Sequence, residues 1–376
     1  MTDHLIVGGG VAGLGLALRL LQKGVAVRVL ERDRTGRAAS WAAAGYLPPT
    51  VGTDPLARLH GDCVAAWPAF ARELEALSGQ SLDFHDAGAL TVAVPETLAA
   101  ARALYEAQAA LGWPVAWLDG DEARRLEPAL GQDVVGAIHN PTVCWVDPRK
   151  VSAALDRAVR TIGGDIAEGA EVASVTVAAG RATGVVLGDG TPIRAEAVTV
   201  AAGAWAGTLG GLERANVPPM RPVRGQMAAV ADDPASPLVR RLIRRIGRGA
   251  ITPRGDGRLV IGTTVEDAGF AVETHEDDIA RFMAEAVRIL PALKDRPPIE
   301  TWAGLRPYAQ DGLPVLGPDG RVERLSWCAG YAADGIVCTS RVPALVADAL
   351  TGGEAIDPAF RAGRAFTGRL HAPQFE

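Results

Sequence analysis

Leu5-Ile6-Val7 is an apolar run closed by a glycine at position 8, the pattern of a buried strand in a parallel sheet. Apolar residues then recur at helical spacing, at Leu14, Leu18 and Leu21, with Leu16 and Leu20 widening the stripe. Gly24 stands where such a helix ends. Val25, Val27 and Val29 alternate as a second strand that ends at Leu30-Glu31. The same two periods continue along the chain. Leu90, Val92 and Val94 predict a strand after Gly88, with a helix around Leu98 to Leu111 behind it. A helix is expected from Lys150 to Ile162, a strand near Val172 to Val175, and a hairpin around Gly188-Asp189-Gly190. Ala197 to Ala201 reads as a buried strand running into Gly203. Strands near Met227 to Val230 and Leu259 to Thr263 precede a helix from about Asp278 to Leu290. The pattern closes with a strand at Leu325 to Ala329 and one helix from Gly335 to Leu350, capped by Gly352.

Strand–helix alternation of this kind predicts an α/β fold. The 376 residues suggest two domains. Their 48% hydrophobic content excludes disorder as the main state. The net charge of −6 gives no general attraction for nucleic acid or an anionic membrane. No run of 18 apolar residues occurs, so no membrane span is expected, and the first apolar run is too short and glycine-broken for a leader. Cys63, Cys144, Cys328 and Cys338 form no CxxC pair and no metal-ligand spacing with histidine. A reduced, cytoplasmic protein without a metal site is expected. Of the 38 basic residues only Lys23, Lys150 and Lys294 are lysines. In so arginine-rich a chain an isolated arginine says little.

The sharpest chemistry lies in the first unit. Gly8, Gly10 and Gly13 form a GxGxxG turn between strand and helix. Gly8 lets the chain turn out of the strand, and Gly10 removes a side chain where a pyrophosphate would approach. Gly13 permits close helix–strand packing, and the helix start, Val11-Ala12, offers free N–H groups. Glu31 lies 18 residues beyond Gly13, where a carboxylate can accept from both ribose hydroxyls. The turn itself does not choose between NAD and FAD. The small residues Ser40-Trp41-Ala42-Ala43-Ala44-Gly45 that follow would let a flat ring lie against the backbone.

Taken with later segments, this unit resembles the D-amino-acid oxidase (DAO) superfamily of flavoproteins, and most closely its glycine oxidase branch, associated with thiamine biosynthesis. The segments include Val146-Asp147-Pro148-Arg149, Ala201-Ala202-Gly203-Ala204-Trp205, Pro222-Val223-Arg224-Gly225-Gln226 and Pro253-Arg254-Gly255-Asp256-Gly257. Gly304-Leu305-Arg306-Pro307, Asp311-Gly312-Leu313-Pro314 and Gly330-Tyr331 with Asp334-Gly335 complete it. No second GxGxxG and no CxxxxC pair is present, which speaks against a nicotinamide site and a disulfide reductase.

The resemblance implies a Rossmann-type FAD-binding domain from residues 1–85, 140–215 and 302–376. An α+β substrate domain from 86–139 and 216–301 is interleaved with it. It implies non-covalent FAD, held by Gly8, Gly10, Val11, Ala12, Gly13, Glu31, Arg32, Ser40, Ala43, Ala44, Gly45, Val172, Ala202, Gly203, Trp205, Arg306, Gly335 and Ile336. Val172 would meet the adenine through its backbone, and the helix starting at Gly335-Ile336 would point at the pyrimidine end of the flavin. Tyr308 follows Arg306-Pro307 where sarcosine oxidase relatives carry a flavin-linking cysteine. Arg306 would grip the substrate carboxylate bidentately, with Tyr46, Arg248 and Tyr331 also at the reacting centre. Where glycine oxidases carry a tyrosine, a histidine and a second arginine, this chain has Ala250, Arg248 and Ala333, and Tyr46 replaces a frequent methionine. These changes predict a wider pocket with fewer polar anchors, suited to an amino acid, N-substituted amino acid or amine larger than glycine. Arg306 and Arg248 would be its anion anchors.

The implied reaction is hydride transfer from substrate Cα to flavin N5, giving an imine that hydrolyses to an oxo acid or aldehyde, with O₂ reduced to hydrogen peroxide. Two alternatives stand beside it: a dehydrogenase passing electrons to a quinone or partner flavoprotein, and a non-catalytic FAD-binding subunit. A homo-oligomer is the family habit.

Overall fold

The N-terminal strand, Thr2–Val7, lies between parallel neighbours on both sides, Val27–Leu30 and Pro192–Val200, which is why it reads as an unbroken apolar run. The computed structural model describes residues 2–247 and 249–367. In spatial order the first sheet runs Val315–Pro318, Leu325–Ala329, Pro192–Val200, Thr2–Val7, Val27–Leu30 and Asp165–Ala167. An antiparallel ribbon, Val172–Ala178 with Arg181–Leu187, hangs from Pro192–Val200. The chain leaves its first strand towards one edge and returns on the other side. The strand order therefore reverses between Thr2–Val7 and Pro192–Val200, the crevice where open parallel sheets bind ligands.

Alternation decides what each strand feeds. Ile6 packs with Leu14, Leu18 and the helices Val11–Gln22, Pro55–Ser78, Pro148–Thr161 and Val342–Leu350 on one face. Leu5 and Val7 pack with Val175, Val185, Val198 and Trp327 under the ribbon on the other. The 24-residue helix Pro55–Ser78 starts on Asp54, whose carboxylate accepts from the Ala57 N–H at 3.0 Å, and stops at Gly79 in the left-handed region.

The second sheet runs Pro298–Ala309, Met220–Ala231, Arg258–Gly262, Ala250–Pro253, Leu242–Arg245, Ala89–Ala93, Gly136–Asn140 and Ala116–Asp119. Ala228, Ile261, Ile251 and Ile243 stand in one row and are covered by Ile279, Met283 and Ile289 of the helix Glu276–Ile289. The row beside it, Trp302, Met227, Gly262, Ala250 and Arg244, looks the other way, towards the first unit. Trp302 Nε1 donates to the Ala42 carbonyl at 3.1 Å, and a Cβ on Gly304 would collide with that of Ala42. The two units are therefore seated on each other at backbone distance.

Two expectations change. Residue 302, expected as a domain boundary, falls inside the strand Pro298–Ala309, which pairs with Met220–Ala231 almost throughout and belongs to the second sheet. The single helix expected from Gly335 to Leu350 is two, Gly335–Cys338 and Val342–Leu350. Pro343 has no N–H to give to the preceding turn, so the helix restarts there.

Candidate active site

A cavity of about 1100 Å³ runs from the glycine turn to the second sheet. Gly10, Val11, Ala12, Ser40 and Ala43–Gly45 line it on the side of the turn; Tyr46, Arg244, Ala250, Thr263, Arg306 and Asp334 line it towards the second sheet. The turn is built as its glycines require. Gly8 has φ +112°, and a side chain there would run into the Ala201 carbonyl; a Cβ on Gly13 would run into the Gly8 carbonyl. The helix begins at Gly10 without a side-chain cap. Its Val11 N–H donates to Ser40 Oγ at 3.1 Å. Glu31 accepts from the Gly9 N–H at 2.7 Å and the Asp33 N–H at 3.1 Å, so its carboxylate is fixed at the strand end. The Ala170 N–H donates to the Glu31 carbonyl, which brings the start of the Val172 strand beside that carboxylate. Arg32 stacks over the Trp205 ring at 3.6 Å. Ala201 and Gly203 border the cavity, while Arg32, Val172, Ala202 and Trp205 stand outside its lining.

The small-residue segment after Ser40 is clamped by a residue whose role had no local signal. Arg254 is buried and donates to the carbonyls of Ala44 and Val146. Burial pulls its pKa down to about 10. Gly45, at φ +71°, has no room for a side chain against Val146 and Pro148. These contacts fix the Ala43–Gly45 backbone against the cavity.

Arg306 forms the floor of the other end. Its Nη1 donates to the carbonyls of Arg224 at 3.1 Å and Thr264 at 3.2 Å, and its Nη2 to Thr263 Oγ1 at 2.9 Å. All three partners are neutral, and among the described residues no carboxylate lies within ion-pairing distance. Burial shifts its pKa downward, against the pull of Tyr308, Asp334 and Glu266. Nearby Glu266 is taken by Arg224. Burial pushes the Glu266 carboxyl up, but hydrogen bonds from Gln226, Thr264 and Arg224 outweigh it and hold it ionised below the usual range.

Asp334 sits at the start of the helix Gly335–Cys338, with 31% of its side chain open to the cavity. Desolvation raises its pKa, partly offset by His60 and Arg306. His60 lies buried behind it, Nε2 3.8 Å from Asp334 Oδ2 and Nδ1 2.6 Å from Thr50 Oγ1. Asp334 was legible only as part of the Asp334-Gly335 segment, without a role, and His60 not at all; a lone buried histidine on a long helix carries no sequence signal.

The expected pocket residues fare differently. Tyr46 lines the cavity, and its hydroxyl accepts from Arg244 Nη1 at 2.8 Å. Tyr331 also lines it, yet its hydroxyl turns into the core onto Cys328 Sγ at 3.0 Å, so the cavity receives ring surface rather than a polar group. Arg248 lies outside the described residues. Ala250 borders the cavity. Arg244, the cross-strand partner of Ala250, supplies a guanidinium from the adjacent strand.

The residues at the turn fit FAD on their own geometry: glycines where a side chain would collide, a helix start without a side-chain cap, an acid fixed at the strand end and a cavity that reaches Arg306. Comparison with known proteins agrees. The sequence profile of the family described as "DAO: FAD dependent oxidoreductase" matches residues 3–349. A glycine oxidase of Bacillus licheniformis is 31% identical over 356 residues, covering 93% of each chain. A bifunctional protein ThiO/ThiG of Synechocystis sp. is 33% identical over 359 residues, 92% of this chain and 51% of the relative, so the chain spans about half of that protein's length. The crystal structure of glycine oxidase from Geobacillus kaustophilus superposes with a TM-score of 0.88 at 30% identity, over 96% of this chain and 98% of that one.

Proposed function

The chain belongs to the DAO family of FAD-dependent oxidoreductases, and from that premise we propose that it oxidises the C–N bond of an amino acid or N-substituted amino acid held by Arg306. One observation carries this reading. A half-buried guanidinium at the cavity wall that meets only neutral oxygens has given up part of its hydration without gaining a counter-charge, which leaves it ready to receive an anion. The substrate carboxylate is that anion, gripped through the guanidinium fork. Arg306 orients the substrate, so that its Cα–H faces the flavin, and orientation supplies much of the rate.

The turn Gly8–Gly13, Glu31, Ser40, Ala43–Gly45, Val172, Ala202, Gly203, Trp205 and Gly335-Ile336 would hold the FAD. Bound FAD supplies the two-electron acceptor. Non-covalent attachment is favoured by the state of the cysteines. Burial pushes the Cys328 thiol up to about 12 and Cys144 up to about 11, leaving neither as a thiolate. The start of the Gly335–Cys338 helix carries Asp334, so it brings a titratable group as well as N–H donors.

We take O₂ as the final acceptor and hydrogen peroxide as the product, with the C–N bond passing through an imine. The test is anaerobic mixing of the purified holoenzyme with an amino-acid and N-alkyl amino-acid panel, followed by air. Bleaching of the flavin and stoichiometric peroxide on reoxidation are expected. Bleaching without peroxide would move the protein to the dehydrogenase class; no bleaching by any member would reject the reading.

A further inference from the structure

Resting on Arg306 as the carboxylate grip, we propose that the substrate carries a second carboxylate, remote from the reacting amine, and that Arg244 and the Tyr46 hydroxyl receive it. Arg306 stands four residues from Trp302 on one strand, so both share a face. The row Trp302, Met227, Gly262, Ala250, Arg244 carries that face across the sheet. Arg244 and Arg306 thus stand on one face, four strands apart, and both border the same cavity.

Charge accounting of the lining separates these two arginines from the rest. Glu266 is taken by Arg224, Glu285 by Arg245, and Arg281 by Asp278. Asp334 stands beside His60. Arg244 has no carboxylate partner among the described residues. Its one polar contact there is with Tyr46, whose ring lies 4.8 Å from the guanidinium carbon. A guanidinium has five N–H groups, and this contact uses one. The Tyr46 oxygen accepts there, so its own proton is left to donate. Burial raises the Tyr46 pKa, which keeps that proton in place. A planar cation and a neutral O–H converging on one space match a carboxylate. Ala250, the cross-strand partner of Arg244, borders the same cavity with only a methyl group and leaves the space open.

The experiment compares matched substrates on the holoenzyme: glutamate with norvaline, aspartate with 2-aminobutyrate, and N-carboxymethylglycine with N-ethylglycine, using both enantiomers where they exist. The binding arm titrates non-oxidised glutarate and butyrate by calorimetry. The second carboxylate is expected to raise kcat/KM about ten- to hundredfold, mostly through KM, and to tighten glutarate over butyrate by a similar factor. Arg244→Met should cut both ratios at least tenfold, and Arg244→Lys should restore part of them. A neutral homologue used as well as its dicarboxylate partner, or a preference that survives Arg244→Met, overturns the proposal. If no amine bleaches the flavin, the oxidation reading fails, and the calorimetric ratio still decides the second anion site.

Discussion

Gly225→Ala tests the carboxylate grip without touching the arginine that makes it. Gly225 is buried in the middle of Met220–Ala231, opposite Gly304, and Arg306 lies across it. A Cβ built on Gly225 would stand 2.5 Å from Arg306 Cζ, where ordinary contacts begin near 3.4 Å. The guanidinium must therefore withdraw by about 1 Å. It can, being the end of a flexible side chain, so the fold is expected to survive. Alanine even removes the entropic cost of a glycine inside a strand, worth about 0.5–1 kcal/mol. Catalysis has no such latitude: a misplacement of about 1 Å in a positioning group costs about a hundredfold, equivalent to about 2.7 kcal/mol of barrier. The variant should keep its flavin and an unchanged or slightly higher Tm, while kcat/KM for any accepted amino acid falls about a hundredfold. A folded, flavin-loaded Gly225→Ala enzyme within threefold of wild type would refute the assignment of Arg306.

Three further outcomes follow from the same geometry. Arg306→Met removes a half-buried charge that has no acidic partner among the described residues, so flavin reduction should be lost while Tm is held or raised; a drop of many degrees in a thermal scan would mark Arg306 as a structural residue instead. Gly13→Ala drives a Cβ into the Gly8 carbonyl, where backbone cannot yield, and the purified protein should show a flavin-to-protein ratio near zero by absorbance. Asp334→Asn addresses pH. A carboxyl whose folded pKa is raised contributes stability that is full below its unfolded value, about 4, and is lost as pH rises through the folded value. The Tm of Asp334→Asn should therefore gain on wild type from pH 4 upward, and a gain that shrinks with rising pH would contradict the raised pKa.

What could be read in the chain beforehand was what repeats locally or sits in a motif. The alternation around Leu5–Val29 places the first strand, helix and strand, and the spacing of Gly8, Gly10, Gly13 and Glu31 anticipates the turn and its braced acid. Arg306 was legible only because Gly304 and Pro307 flank it. The rest depends on pairing between distant segments. Arg244 is one of many arginines until the register sets it beside Ala250. Reading Ala250 alone does not reveal the guanidinium that the neighbouring strand brings beside it. Arg254 reaches back to Ala44 and Val146 across more than a hundred residues, and His60 meets Asp334 only because a long helix runs beneath the last unit. Pro343 stands in the sequence, yet the single helix expected from Gly335 to Leu350 runs straight through it.

The Gly304–Ala42 approach divides the second sheet into a frozen margin and a free one. At the seam, strand and helix touch through the smallest side chains there are, so neither partner can grow without prising the units apart. Three and four strands away, Ala250 and Arg244 border the cavity instead, and Arg244 meets the first unit through the Tyr46 hydroxyl. The molecule thus resembles a vice with one jaw bolted down: the edge strand that holds Arg306 tolerates no resizing, while the inner strands that carry Ala250 and Arg244 border open volume that can be reshaped for a different substrate tail.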